Sequence, residues 1–404
     1  MDTLPDRVTC CIAGGGPAGM MLGLLLARAG VETLVLEKHG DFLRDFRGDT
    51  IHPSTLQVMH ELGLLAAFLA RPHSEIRRMQ GMIGDEAVEI ADFSHLPTVC
   101  RFIAMMPQWD FLDFLVAAAR RYPCFHLGMG TEVVDLLIED ACVVGVRAES
   151  RGKAREFRAE LVVGADGRQS IVRERAGLAV TSLGAPIDVL WMRLSKRPSD
   201  PQQTLGRVNY GRMLVTLDRG NYWQCAYIIR KDGFAALQAL GIESFRNDIL
   251  RLAPFLGDRV GELAGWDDVK LLTVAVDRLE RWWRPGLLCI GDAAHAMSPM
   301  GGVGINLAVQ DAVAAGNLLA VPLRNGTLTP ADLDAVQRRR MFPTRAMQRL
   351  QVVMQERVID RLLGDDRAFH PPWPLRLFRL FPVLQRLPAR LIGMGFRPEH
   401  VAGS

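Results

Sequence analysis

The residues best suited to chemistry cluster between Leu287 and Asp311, in the run LLCIGDAAHAMSPMGGVGINLAVQD. Leu287 to Ile290 is a short apolar run that suits a buried strand. Gly291 and Asp292 end it and set a carboxylate at the strand's C-terminal end. Pro299, Gly301, Gly302 and Gly304 then make a tight loop. From Ile305 and Asn306 the pattern turns helical, through Leu307, Ala308, Val309, Ala312 and Val313. A glycine loop feeding a helix leaves free backbone N–H groups at a positive dipole end. That end can hold an anion, or a ring that becomes anionic during a reaction. The plainer reading is a strand–loop–helix connection with glycines for turns. His295 follows Asp292 closely and is a candidate acid or base, although a histidine in such a loop more often packs the loop.

The N-terminus shifts the balance. Val8 to Ala13 is an apolar strand, followed at once by Gly14-Gly15-Gly16-Pro17-Ala18-Gly19 and a helix to Ala29. Val31 to Leu36 make a second strand closing on Glu37. This is a βαβ unit with GxGxxG at its first turn. Gly14 permits the tight turn, Gly16 lets a pyrophosphate approach, and Gly19 lets helix and strand pack closely. Glu37 stands where a carboxylate accepts both ribose hydroxyls of an adenosine. An acid there disfavours a 2′-phosphate, with Lys38 the one reservation. A third motif, GADGRQSIVR at 164–173, closes another strand on an acid and a glycine, Asp166-Gly167. Arg47 could reach a pyrophosphate or simply make a surface salt bridge.

The elements that must position these motifs divide the chain. A hairpin is expected over 132–137 and 142–148, with Glu139-Asp140 as its turn. A helix is expected from Ser54 to Leu62, with Ser54 near its N-cap, and another from Asp110 to Arg120 with Gln108 at its opening. From about Pro186 the texture becomes β-rich: strands at 189–194, 207–217, 222–229 and 269–276, interrupted by a helix at 244–252. Tyr210, Tyr222, Tyr227 and Trp191 lie there as candidate contacts to an aromatic substrate, and Arg193 could pair a carboxylate. Aromatic strand residues are also ordinary core. We expect a discontinuous dinucleotide-binding domain over 1–180 and 269–360, a β-rich substrate domain over 181–268, and a helical extension over 361–404.

Composition narrows the class. The 404 residues suffice for two domains or one elaborate domain. The net charge of +3 supplies no field for nucleic acid. The 7 cysteines include no CxxC pair, so they read as free thiols in a reducing, cytoplasmic compartment, with no metal site. Residues 1–7 carry no secretory signal, and no apolar run is read as a transmembrane span.

Together, GGGPAG at 14–19 with Glu37, GADGRQSIVR at 164–173 and GDAAHAMSPMGGVGIN at 291–306 resemble the FAD-dependent aromatic hydroxylases of the p-hydroxybenzoate hydroxylase family. These are class A flavoprotein monooxygenases. The resemblance covers nearly all of the dinucleotide domain and is weak over 181–268. It implies an α/β fold, a Rossmann-like FAD domain of the glutathione reductase type with an inserted β-sheet-rich substrate domain and a C-terminal helical region. It implies that Gly14 to Gly19, Glu37 and Lys38 hold the ADP part of FAD, and that Arg47 and Gln108 touch its phosphates and ribityl chain. Val133 matches a backbone contact near adenine, and Asp166-Gly167 a motif linked to both FAD and NAD(P)H. Asp292 matches the ribityl carboxylate. Pro299, Gly302, Gly304, Ile305 and Asn306 match the loop and helix start under the flavin pyrimidine.

The implied reaction uses non-covalent FAD, NADH or NADPH as a transient co-substrate, and O2. It hydroxylates an aromatic or polycyclic phenol-like substrate through a flavin C4a-hydroperoxide, in a monomer or homodimer. Three alternatives share the fold. One is a halogenase, although Trp282-Trp283-Arg284-Pro285 does not match the WxWxIP signature. The others are a prenyl-chain reductase and a non-enzymatic escort protein that could dispense with these motifs.

Overall fold

The computed structural model describes residues 4–43, 49–201, 205–356, 377–378 and 380–403. Arg47 and much of the expected 361–404 extension lie outside the described residues. The chain forms a mixed α/β fold around two large sheets.

The first sheet is built on the strand Arg7–Ala13. It pairs in parallel with Thr33–Glu37 on one side and with the C-terminal half of Lys153–Gly164 on the other. Leu287–Cys289 and Phe125–Met129 extend the parallel core outward. Cys10, Cys11 and Ile12 are fully buried in succession. A strand reads as a continuous apolar run when helices cover both faces of its sheet. The helices Pro17–Arg28 and Gly304–Asn325 pack together over this sheet. Burial pushes the Cys11 thiol up to about 12, so this strand offers no reactive thiolate.

The hairpin Glu132–Glu139/Cys142–Ser150 continues the sheet through Lys153–Gly164. Its turn is one residue later than expected. Asp140 and Ala141 both adopt positive φ, 47° and 64°, matching a two-residue turn whose twist suits the strands.

The second sheet has seven strands, in the order Lys270–Leu272, Ile187–Ser195, Tyr222–Arg230, Arg212–Asp218, Leu205–Asn209, Arg78–Ile83 and Glu86–Asp92. Three of these lie outside 181–268. The strand expected over 207–217 is instead a hairpin, because Tyr210 and Gly211 turn the chain at φ 50° and 68°. One face of the sheet packs on the helix Ile242–Leu252 through Leu190, Trp223, Cys225 and Tyr227. The other face looks across a cavity toward the first sheet's motifs.

The helix Pro53–Glu61 opens on Pro53, whose missing N–H costs nothing at the first position. His52 is therefore its cap residue, and Ser54 lies within the first turn. Met300–Asn325 is long and apolar enough to cross a membrane, unlike the sequence expectation. However, 78% of its most apolar window is buried inside the protein, which makes it a core helix.

Candidate active site

The glycine loop is fixed by close approaches. Gly14 sits at φ 104°, and a Cβ there would stand 2.4 Å from the Ala165 carbonyl oxygen. Gly19 abuts the loop from the helix side, where a Cβ would stand 2.0 Å from the Gly14 carbonyl oxygen. Gly14 thus lets the first and second motifs touch, and Gly19 lets the helix close on the loop. Gly16 differs: nothing lies within 4 Å of where its Cβ would be. It opens the loop onto the cavity, above a helix with no side-chain cap. Glu37 accepts hydrogen bonds from the Gly15 N–H (2.8 Å) and the His39 N–H (3.1 Å). The backbone thereby orients this carboxylate at the strand's end. Lys38 is exposed, 4.0 Å from Glu132.

The second motif meets the third through a residue the sequence reading did not single out. Arg168 Nε donates to Asp292 Oδ2 at 3.2 Å, and its Nη2 donates to the Met297 carbonyl at 3.1 Å. Arg168 lies inside GADGRQ, so its motif was visible, but its partner is 124 residues away. Asp166 Oδ2 accepts from the Val172 N–H at 3.1 Å, while Oδ1 is buried with no protein partner. Burial raises the Asp166 carboxyl above its usual range.

The third loop takes its shape from glycines in left-handed conformations. Gly301 and Gly302 adopt φ 76° and 63°. A Cβ on Gly302 would lie 2.2 Å from Thr50 Oγ1, which donates to the Gly302 carbonyl at 2.9 Å. The helix Gly304–Asn325 that follows has no side-chain cap and no acid in its first turn. Its positive end is therefore uncompensated by the chain. Asn306 does not line the cavity. Its Oδ1 accepts from the His52 N–H (3.0 Å) and Thr55 Oγ1 (2.6 Å), so its side chain fastens the helix Pro53–Glu61.

His295 is likewise a packing residue. It is buried, with Nε2 2.6 Å from Asp311 Oδ2. The other Asp311 oxygen accepts from Arg340 Nε at 2.8 Å, and Oδ2 also accepts from the Gly291 N–H at 3.1 Å. Arg340 and Arg339 reach Glu399 in the C-terminal tail. A buried charge chain thus runs from the tail to the loop that carries Asp292.

Strand alternation sorts the substrate-lobe candidates. Trp191 faces the cavity beside Val189, Ala226 and Ile228. Tyr227 faces the opposite side, buried against Phe245, with its hydroxyl 3.5 Å from Asp248. Tyr210 forms the hairpin turn, and the Arg193 guanidinium stacks 3.9 Å over Tyr222. None of these last four lines the cavity. One residue missed from sequence, Asp49, does border it. Asp49 pairs with Arg219, both buried, joining the first domain to the second sheet. Burial lowers Arg219 to about 10, which leaves it charged at neutral pH.

One cavity of about 1810 Å3 connects Gly14, Gly16, Pro17, Ala18, Glu37, Lys38, Gln108, Val133, Asp166, Gly167, Asp292, Pro299, Gly302, Gly304 and Ile305 to the second sheet. Small-molecule sites usually occupy about 300–1,000 Å3, so this volume accommodates a dinucleotide with a second molecule beside it. The open loop at Gly16 and two uncapped helix ends supply donors, and the orphaned Asp166 oxygen an acceptor, in a set that fits FAD.

The comparisons agree. The sequence profile described as an FAD binding domain matches residues 7–350. The chain belongs to this family of FAD-dependent aromatic hydroxylases. It is 34% identical over 351 residues to 6-methylpretetramide 4-monooxygenase of Streptomyces rimosus, covering 86% of this chain and 84% of that one. PqsL of Pseudomonas aeruginosa, in complex with 2-aminobenzoylacetate, superposes with a TM-score of 0.74 at 22% identity, covering 88% of this chain and 96% of that one. The OxyS anhydrotetracycline hydroxylase of Streptomyces rimosus gives 0.71 at 23%, covering 96% and 76%. The protein is a flavoprotein monooxygenase that uses FAD, NAD(P)H and O2.

Proposed function

We propose that the substrate is a phenol-like aromatic polycycle, hydroxylated where the first domain meets the apolar face of the second sheet. The observation that carries this reading is the single cavity shared by the three motifs and that sheet. The name of the Streptomyces rimosus relative, which acts on 6-methylpretetramide, supports a polycyclic substrate. Residues 1–180 and 269–360 serve as the FAD domain. Residues 181–268 serve as the substrate domain, completed by the strands Arg78–Ile83 and Glu86–Asp92.

Bound FAD supplies the chemistry, accepting hydride from NAD(P)H and using O2 to place one oxygen atom on the substrate. The chain's own residues bind, orient and shield. Glu37 holds the adenosine ribose, and Gly16 with the start of the helix Pro17–Arg28 receives the pyrophosphate. Asp292, steadied by Arg168, holds ribityl hydroxyls. The helix end at Gly304 stabilises negative charge. The aliphatic sheet face excludes water and so strengthens these interactions.

FAD is held non-covalently, in a cytoplasmic monomer or homodimer, a compartment supported by 7 free cysteines. Acid precipitation should leave all flavin in the supernatant as FAD, and pelleted flavin would count against it. The reading as a whole is tested by screening phenols for substrate-stimulated NAD(P)H oxidation with O2 uptake and a hydroxylated product. Oxidation yielding only hydrogen peroxide across naphthols, anthrols and larger phenols would overturn it.

A further inference from the structure

The cavity face of the second sheet has a feature that its own packing does not explain. Across the register, Trp191 stands beside Ala226, Ala226 beside Val215, Val215 beside Gly206, and Gly206 beside Gly81. All five line the cavity. Neighbouring strands lie about 4.8 Å apart, so Ala226 to Gly81 covers roughly 14 Å. This row begins with an indole, continues with the small Ala226 and Val215, and ends on bare backbone at Gly206 and Gly81. The neighbouring row on the same face keeps its bulk, with Ile228, Met213, Val208 and Ile83 in sequence. The outcome is a trough with a flat peptide floor and an aliphatic wall.

A glycine inside a strand weakens it, and it commonly marks a close approach by another backbone or a ligand. Gly81 has a packing reason, since a Cβ there would stand 3.3 Å from the Gly206 carbonyl oxygen. Gly206 has none. No atom lies within 4 Å of its Cβ position, and its φ is not left-handed. A β-branched residue would serve the strand better. Arg207 beside it faces the other way, over the Phe255 ring. The missing side chain leaves open space on the cavity side of the strand.

We propose that Gly206 and Gly81 form the floor on which a planar, linearly fused tricyclic or tetracyclic phenol lies, and that Gly206 sets the ring length admitted. This rests on the aromatic-hydroxylation reading and adds the substrate's shape. The test uses FAD-loaded protein, wild type and the graded variants Gly206→Ala and Gly206→Val. The probes are 2-naphthol and 2-anthrol, titrated by perturbation of the flavin absorbance. Wild type should bind 2-anthrol more tightly. Gly206→Val should weaken 2-anthrol at least about tenfold and 2-naphthol less than about twofold, with Gly206→Ala between. FAD content and Tm should not fall. An unchanged 2-anthrol Kd in Gly206→Val, or equal weakening of both probes, overturns the trough. NAD(P)H oxidation stimulated by 2-naphthol while 2-anthrol fails to bind wild type also overturns it, and leaves hydroxylation standing. Gly206-dependent binding of 2-anthrol without oxidation supports the trough and counts against hydroxylation.

Discussion

Glu37 is oriented by two backbone N–H groups before any ribose arrives. That pre-organisation reduces the cost of binding. A hydrogen bond to a charged group contributes roughly 1.5–3 kcal/mol. Glu37→Ala should therefore raise the FAD dissociation constant about tenfold to a hundredfold. An unaltered fluorescence titration would remove Glu37 from the site. A second carboxylate acts on stability. Burial alone would raise the Asp200 carboxyl, but hydrogen bonds from Arg259, the Arg197 N–H and Trp223 hold it at about 2. Its unfolded value is near 3.9. Its contribution is thus complete above about pH 4 and is lost as pH falls toward 2. Asp200→Asn should lower Tm at pH 7, and the gap to wild type should close below about pH 3. A constant gap across that range would show that the charge is not what matters.

At the level of elements, the connection between Cys289 and Gly304 decides whether the third motif works. Gly302 takes a left-handed conformation against Thr50. Gly302→Ala meets both obstacles, a left-handed backbone costing roughly 1–2 kcal/mol and a clash with Thr50 Oγ1. The purified variant should carry less FAD per chain, read from the ratio of flavin to protein absorbance. Adding Thr50→Ala removes the nearest clashing atom and should restore part of the flavin. If Gly302→Ala retains full FAD, the loop is not the rigid cradle described.

At the scale of the molecule, the C-terminal tail is tied to the helix Gly304–Asn325 by buried ion pairs. Glu399 is buried and pairs with Arg339 and Arg340, and Arg340 pairs with Asp311 beneath the Asp292 loop. Breaking a buried ion pair by removing one partner costs about 3–5 kcal/mol. Arg340 keeps Asp311, so Glu399→Gln should cost less than that, about 1–3 kcal/mol. Truncation after Gly395 should cost more and also weaken FAD binding, because the tail supports the Asp292 loop. Denaturant unfolding with and without added FAD separates the two effects. Wild-type Tm and FAD affinity in the truncated chain would refute the coupling.

The dinucleotide motifs were legible because each is a local word, a strand, a turn and a helix within a few residues. Glycines at 14, 16, 19 and 302 declare backbone geometry by type alone. The hairpin near 140 and the helix ending at Leu252 were readable from period and turn chemistry. The substrate side was not. Tyr222 and Tyr227 are an odd number of residues apart on one strand, so they cannot share a face, and alternation sends Tyr227 to the core. Sequence alone did not say which face met the cavity. A buried amide must satisfy its hydrogen bonds, and the partners of the Asn306 side chain lie about 250 residues away. The Asp49–Arg219 pair and the parallel alignment of Gly206 with Gly81 are equally non-local. The sequence determined the local geometry of the three motif loops. Only the tertiary structure decided what faces the cavity, because strand pairing and burial join residues that have no sequence proximity.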